Sequence, residues 1–136
     1  MNQTSTTPNL WTLALTGGVI GAIINALIFL IAPSIIGQAI QVVNPNTNLL
    51  EPLPLFAVIA ASVVPAFAAA GLLLALQRFT KNPMSIFLGI GIVFALFSLI
   101  GPFTMPMTMG VKLTLNLMHL VAAASILAAL SRAKKA

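Results

Sequence analysis

The sequence predicts an all-helical bundle of four transmembrane helices, and three observations carry that prediction. The chain is 60% hydrophobic and only 5% charged, against about 25% charged residues in a soluble domain, so it lacks the polar surface to cover a water-soluble globule. Four apolar stretches, at about 10–32, 55–76, 84–103 and 111–130, are each long enough to cross a bilayer as a helix. Between them lie runs rich in asparagine, proline and charge, which punctuate helices rather than continue them. The length of 136 residues suits one such four-helix membrane domain.

Residues 1–9 are polar and uncharged and read as a short frayed tail. They hold no Lys or Arg, and the apolar run that follows is too long for the core of a secretory signal, so the first span is expected to stay in the membrane. Trp11 suits one interface of that span. Gly17, Gly18, Gly21 and Asn25 place small residues and one amide where a neighbouring helix can approach closely. The same glycines would also serve a homodimer. Pro33 is expected to end or bend the span. Residues 34–43 alternate apolar and glutamine positions at helical spacing and read as a short interfacial helix or a kinked continuation.

The Asn-Pro-Asn-Thr-Asn run at 44–48 reads as a turn, followed by Glu51, the chain's only acid, and by Pro52 and Pro54. The second span contains Ser62 and Pro65, and a proline there frees a helical carbonyl that a neighbour must satisfy. A short basic link with Arg78 and Lys81 leads to the third span, on which Gly91, Ala95, Ser98 and Pro102 share a stripe. A methionine-rich loop, Met105, Met107 and Met109, precedes the fourth span. With both termini cytoplasmic, five of the six basic residues fall inside and only Lys112 outside, as the positive-inside rule requires. The expected location is a bacterial inner membrane, with the long first loop external.

Charge and cysteine content narrow the chemistry. The net charge of +5 sits at segment ends, which is an insertion signal and no nucleic-acid footprint. With no cysteine, thiolate metal sites and disulfides are excluded. One acid and one histidine do not make a carboxylate pair, a catalytic triad or a bis-histidine haem site. The expectation is therefore a protein that is not an enzyme and has no cofactor, metal site or nucleic-acid partner. The lipid bilayer is its medium, and a larger membrane complex or a homo-oligomer its setting.

The candidate site is a polar layer. Lys112, Asn116 and His119 fall within about 60° on the fourth helix. At about 1.5 Å per residue, His119 lies roughly 12 Å below the external end of its span, and Asn25, Ser62 and Ser98 reach similar depth on the other three. These five residues, Asn25, Ser62, Ser98, Asn116 and His119, are the candidate ligand-binding set, with Asn116 fixing the imidazole tautomer and Glu51 and Lys112 near the rim. Two readings stand side by side: interhelical hydrogen bonding, or an outward-facing pocket for a small or lipidic ligand. An alternative function is a small-molecule or metal-ion carrier using His119 and the thioethers of Met105, Met107 and Met109.

The Ser-Leu-Ile-Gly-Pro stretch at 98–102, the Leu-Met-His-Leu-Val-Ala-Ala stretch at 117–123 and the Pro-Leu-Pro entry at 52–54 resemble a family of small four-span bacterial membrane proteins of unknown function. The resemblance implies a four-helix membrane fold and points to His119. It implies no activity. The 44–48 loop and the methionine-rich loop are not features of that pattern.

Overall fold

The computed structural model describes residues 9–133. The expected tail, apart from Asn9, and the basic residues Lys134 and Lys135 lie outside the described residues. Four helices are long and apolar enough to cross a membrane, and the chain is a multi-pass membrane protein. In order, the elements are α1 (Leu10–Ile36), β1 (Gln41–Val43), β2 (Leu50–Pro52), α2 (Leu55–Phe79), α3 (Pro83–Ser98), α4 (Ile100–Thr104) and α5 (Met109–Leu130). The third span is α3 and α4 together, interrupted at Leu99. Pro102 has no N–H to give the carbonyl of Ser98, and the helix breaks across that missing bond.

α1 starts at Asn9, whose side-chain oxygen accepts the Trp11 N–H at 3.2 Å. It does not end at Pro33. One more turn follows, because a proline near a helix end removes only one backbone bond, and the helix stops at Gly37, which adopts φ 72 and donates its N–H to the Pro33 carbonyl. Of the segment 34–43, expected as an interfacial helix or a kinked continuation, residues 34–36 continue α1 and residues 41–43 form the first strand of a hairpin. β1 pairs antiparallel with β2, with Val42 opposite Glu51. The turn between them is built by asparagines. The Asn44 carbonyl accepts the Asn48 N–H at 2.8 Å, its amide donates to the Leu49 carbonyl at 2.9 Å, and its side chain accepts the Asn46 N–H. Asn48 takes the left-handed conformation at φ 56 that asparagine tolerates. Leu53 then bonds back to Ile40, and Ile40 is buried, so the hairpin is folded onto the bundle end.

Packing divides into two buried clusters. At the end carrying Arg78 and Arg132, Leu13, Ala14, Ala66, Ala70, Leu73, Phe87, Ile126 and Leu130 join all four spans. At the hairpin end, Ala32, Ile40, Val58, Val111, Leu115 and Met118 join α1, α2, α5 and the hairpin. The central element of both is α1, held between α2 and α5. Its glycines make that possible. A Cβ on Gly17 would stand 2.8 Å from the Ala129 Cβ and 2.9 Å from the Ser125 carbonyl, and one on Gly18 would stand 3.1 Å from Ala66. In lipid, where apolar burial gives helices no driving force to associate, such close approach supplies the dispersion contact that does. The glycine set is thus spent inside the bundle, on α5 and α2.

Gly17→Ala is expected to lower stability by about 1–3 kcal/mol through forced separation of α1 and α5. Gly89→Ala, on α3 with nothing within 4 Å of the added carbon, is expected to be neutral or to gain up to about 1 kcal/mol from helix propensity. Reversible unfolding in mixed micelles measures both; equal effects at the two positions would refute the close-packing assignment.

Candidate functional site

The site follows from where α3 and α4 do and do not pack. Phe87 is fully buried at the Arg78 end, and Pro83 beside it is also buried. These are the only buried residues of α3. Toward the hairpin end neither α3 nor α4 contributes to the buried cluster. A cavity of about 600 Å³ lies in the resulting gap. Its walls are Val58, Ala61, Ser62 and Pro65 of α2, Phe94, Ala95 and Ser98 of α3, Pro102 of α4, and Met118, His119 and Ala123 of α5. Val42, Val43 and Leu53 of the hairpin region and Asn25 of α1 also line it.

Four of the five candidate residues, Asn25, Ser62, Ser98 and His119, line this one cavity. Asn25 is 3% exposed. It donates both amide hydrogens, one to Ser62 Oγ and one to the Met118 carbonyl, each at 3.0 Å. A carbonyl requires a donor, so this bond fixes which way the amide points. Its Oδ1 has no partner. Ser62 is also buried and donates to the Val58 carbonyl at 3.1 Å, and Ser98 donates to the Ala95 carbonyl at 2.6 Å. His119 is exposed at the wall, and its Nδ1 lies 2.9 Å from the Leu115 carbonyl.

Asn116 departs from expectation. It is buried, does not line the cavity, and has no hydrogen-bond partner on either side-chain atom. It does not set the His119 tautomer; the Leu115 carbonyl does, because the ring folds back onto the backbone one helical turn earlier. Helical spacing places Asn116 between Lys112 and Ala123, on the side of α5 turned toward α3 and α4. Lys112 there donates to the Phe103 carbonyl at 3.3 Å.

Glu51 is held in the hairpin. Its carboxylate accepts from the Asn44 amide at 2.7 Å and the Thr47 hydroxyl at 2.8 Å, and these bonds hold its pKa below the usual carboxylate range. The methionines of the loop diverge. Met107 packs on the hairpin-end cluster, Met105 lines the cavity and Met109 is exposed at the start of α5. The three thioethers and His119 are not brought together as one ligand set, and no cluster of three or more His, Asp or Glu occurs among the described residues.

Sequence reasoning did not find the parts of the wall that carry no side-chain signal. The Met118 carbonyl is one. The Ser98 carbonyl, which Pro102 cannot bond, is another; the carbonyl that Pro65 frees was read from the sequence, but not that Ala61, which carries it, lines a cavity.

Asn25→Leu is expected to cost about 1–2 kcal/mol, since interhelical hydrogen bonds in membranes average about 0.6 kcal/mol and reach about 1.7. Asn116→Leu, of the same shape, is expected to stabilise by about 1 kcal/mol or more by removing an unpaired buried amide. Unfolding of both variants in the same micelle tests the contrast, and a stabilised Asn25→Leu would overturn it. For Glu51, the lowered folded-state pKa means a contribution that is present at neutral pH and lost as pH falls through that pKa. The protection of the Asn46 and Leu49 amides, taken relative to their intrinsic exchange rates, should therefore fall as pH drops through the lowered Glu51 pKa, and Glu51→Gln should remove that pH dependence.

No curated protein and no solved structure is significantly similar to this chain. A family profile does match, over residues 5–136 and so nearly the whole length. With that coverage and four apolar helices in the bundle, the chain belongs to the family of unknown function DUF6069.

Proposed function

We propose that this is a non-enzymatic membrane protein that receives a small lipidic molecule in the hairpin-end cavity, working as an accessory or scaffold subunit. The observation that carries the reading is the departure of α3 and α4 from the hairpin-end core, which leaves about 600 Å³ beside an otherwise close-packed bundle. That volume falls within the about 300–1,000 Å³ of ligand pockets, and the wall has their composition, mostly apolar with a few polar groups. The positive-inside rule supports an orientation with the hairpin and cavity outside and Arg78, Lys81 and Arg132 in the cytoplasm. A non-enzymatic role is supported by the separation of the one acid from the one imidazole, since both oxygens of Glu51 are engaged within the hairpin. The accessory role is supported by α3, which buries two residues and leaves its other faces to lipid or a neighbouring subunit.

Methionine methyl groups report on this cavity directly, because Met105 and Met118 line it and Met84 and Met109 do not. Titration of methyl-labelled protein in micelles with decane is expected to shift Met105 and Met118 saturably and to leave Met84 and Met109 unmoved. Ala95→Phe, which fills the wall, is expected to abolish the shifts. Uniform movement of all methionines, or none, would refute a discrete binding cavity.

A further inference from the structure

We infer that the cavity selects apolar molecules bearing a hydrogen-bond donor, of which a long-chain alcohol is the simplest, over carboxylates and phosphates of the same chain length. This rests on the cavity reading above and goes on to the chemistry of the occupant. The hydrogens of the polar groups in the wall are already spoken for. Asn25 has two amide hydrogens and both are committed, to Ser62 Oγ and the Met118 carbonyl. What it has left is Oδ1, an acceptor without a partner that its neighbours close off, so Asn25 offers the cavity no donor. Ser62 gives its hydrogen to the Val58 carbonyl and Ser98 gives its own to the Ala95 carbonyl, so each hydroxyl offers only lone pairs. His119 places Nδ1 against the Leu115 carbonyl. A carbonyl cannot donate, so Nδ1 carries the hydrogen, and in the neutral ring Nε2 is an acceptor.

The backbone repeats the pattern. Pro65 has no N–H for the carbonyl of Ala61, and Pro102 has none for that of Ser98, and all four residues line the cavity. Two helical carbonyls at the wall thus lack their usual donor. No Lys, Arg, Asp or Glu lines the cavity among the described residues. An anionic head group would meet acceptors and no cation, at the full cost of desolvating a charge. An uncharged hydroxyl would meet acceptors with lone pairs to spare, and its own hydrogen would not be left unpaired in an apolar setting.

The test compares 1-decanol, decyl methyl ether and decanoate against the full chain in micelles, reading the Met105 and Met118 methyl shifts with partition into empty micelles subtracted. The alcohol is expected to bind on the order of tenfold more tightly than the ether, which has the oxygen but no donor, and decanoate more weakly than either. Ser98→Ala and His119→Phe each remove an acceptor and are expected to shrink the alcohol-to-ether ratio, whatever either does to the binding of both molecules together. Asn25→Leu is avoided as the primary probe because that residue also ties the helices together. Equal binding of alcohol and ether, or tighter binding of decanoate, would overturn the donor preference and leave the cavity standing. Binding of none of the three would overturn both.

Discussion

One amide fixes the level at which three helices meet. Asn25 sits on the helix at the centre of the bundle and bonds the α2 side chain of Ser62 and the α5 backbone at Met118. Lipid gives apolar helices no reason to prefer one rotation or one axial offset over another. Glycine contacts at Gly17, Gly18 and Gly21 bring α1 close to α5 and α2, but small residues slide past one another at little cost. A buried amide with two directional donors does not. Once its hydrogens are placed, the register of α1 against both neighbours is set, and the hairpin-end cluster above it and the larger cluster below it fall into line.

α3 stands outside that constraint. Its Ser98 bonds its own helix, and its buried anchors Pro83 and Phe87 lie at one end. Farther along, Phe94 is 73% exposed and Phe97 66%, while the break at Leu99 and the turn of α4 carry the chain back to α5. The cavity is the geometric consequence. A helix pinned at one end and returned by a short loop at the other leaves space along the middle, and residues of the hairpin line part of that space.

The four spans were legible because length and apolarity alone determine what crosses a bilayer. Asn25, Ser62, Ser98 and His119 were legible as one level because depth follows from helical rise, and a polar group in a span seeks company. Two features were not readable. The strands around 41–43 and 50–52 are three residues each, too short for a period of two to stand against the helical spacing of Ile35, Ile36, Ala39 and Ile40; the asparagine-rich turn between them was the better signal. The other is the rotation of α5. Grouping Lys112, Asn116 and His119 within 60° names a face but not its neighbour, and the edge of that face bearing Asn116 turns to α3 and α4 while His119 meets the cavity. On α3 the stripe of Gly91, Ala95 and Ser98 did mark the inward side, and these residues line the cavity, but a stripe of small residues does not say whether a helix or a cavity lies against it.

Stability and selectivity are joined at this site by the same protons. In water a serine or an asparagine can leave its donors to solvent and turn them toward a ligand when one arrives. In a membrane helix an unspent hydroxyl hydrogen has the carbonyl one turn back as its nearest partner, which is where Ser62 and Ser98 send theirs. The amide hydrogens of Asn25 go to neighbouring helices because the bundle needs them there. Assembly therefore consumes donors and leaves acceptors, and prolines within the spans withhold the N–H that the carbonyl one turn back would otherwise receive. A polar cavity made this way, without an arginine or lysine in its wall, has its hydrogen-bonding character set by the folding of the helices that enclose it.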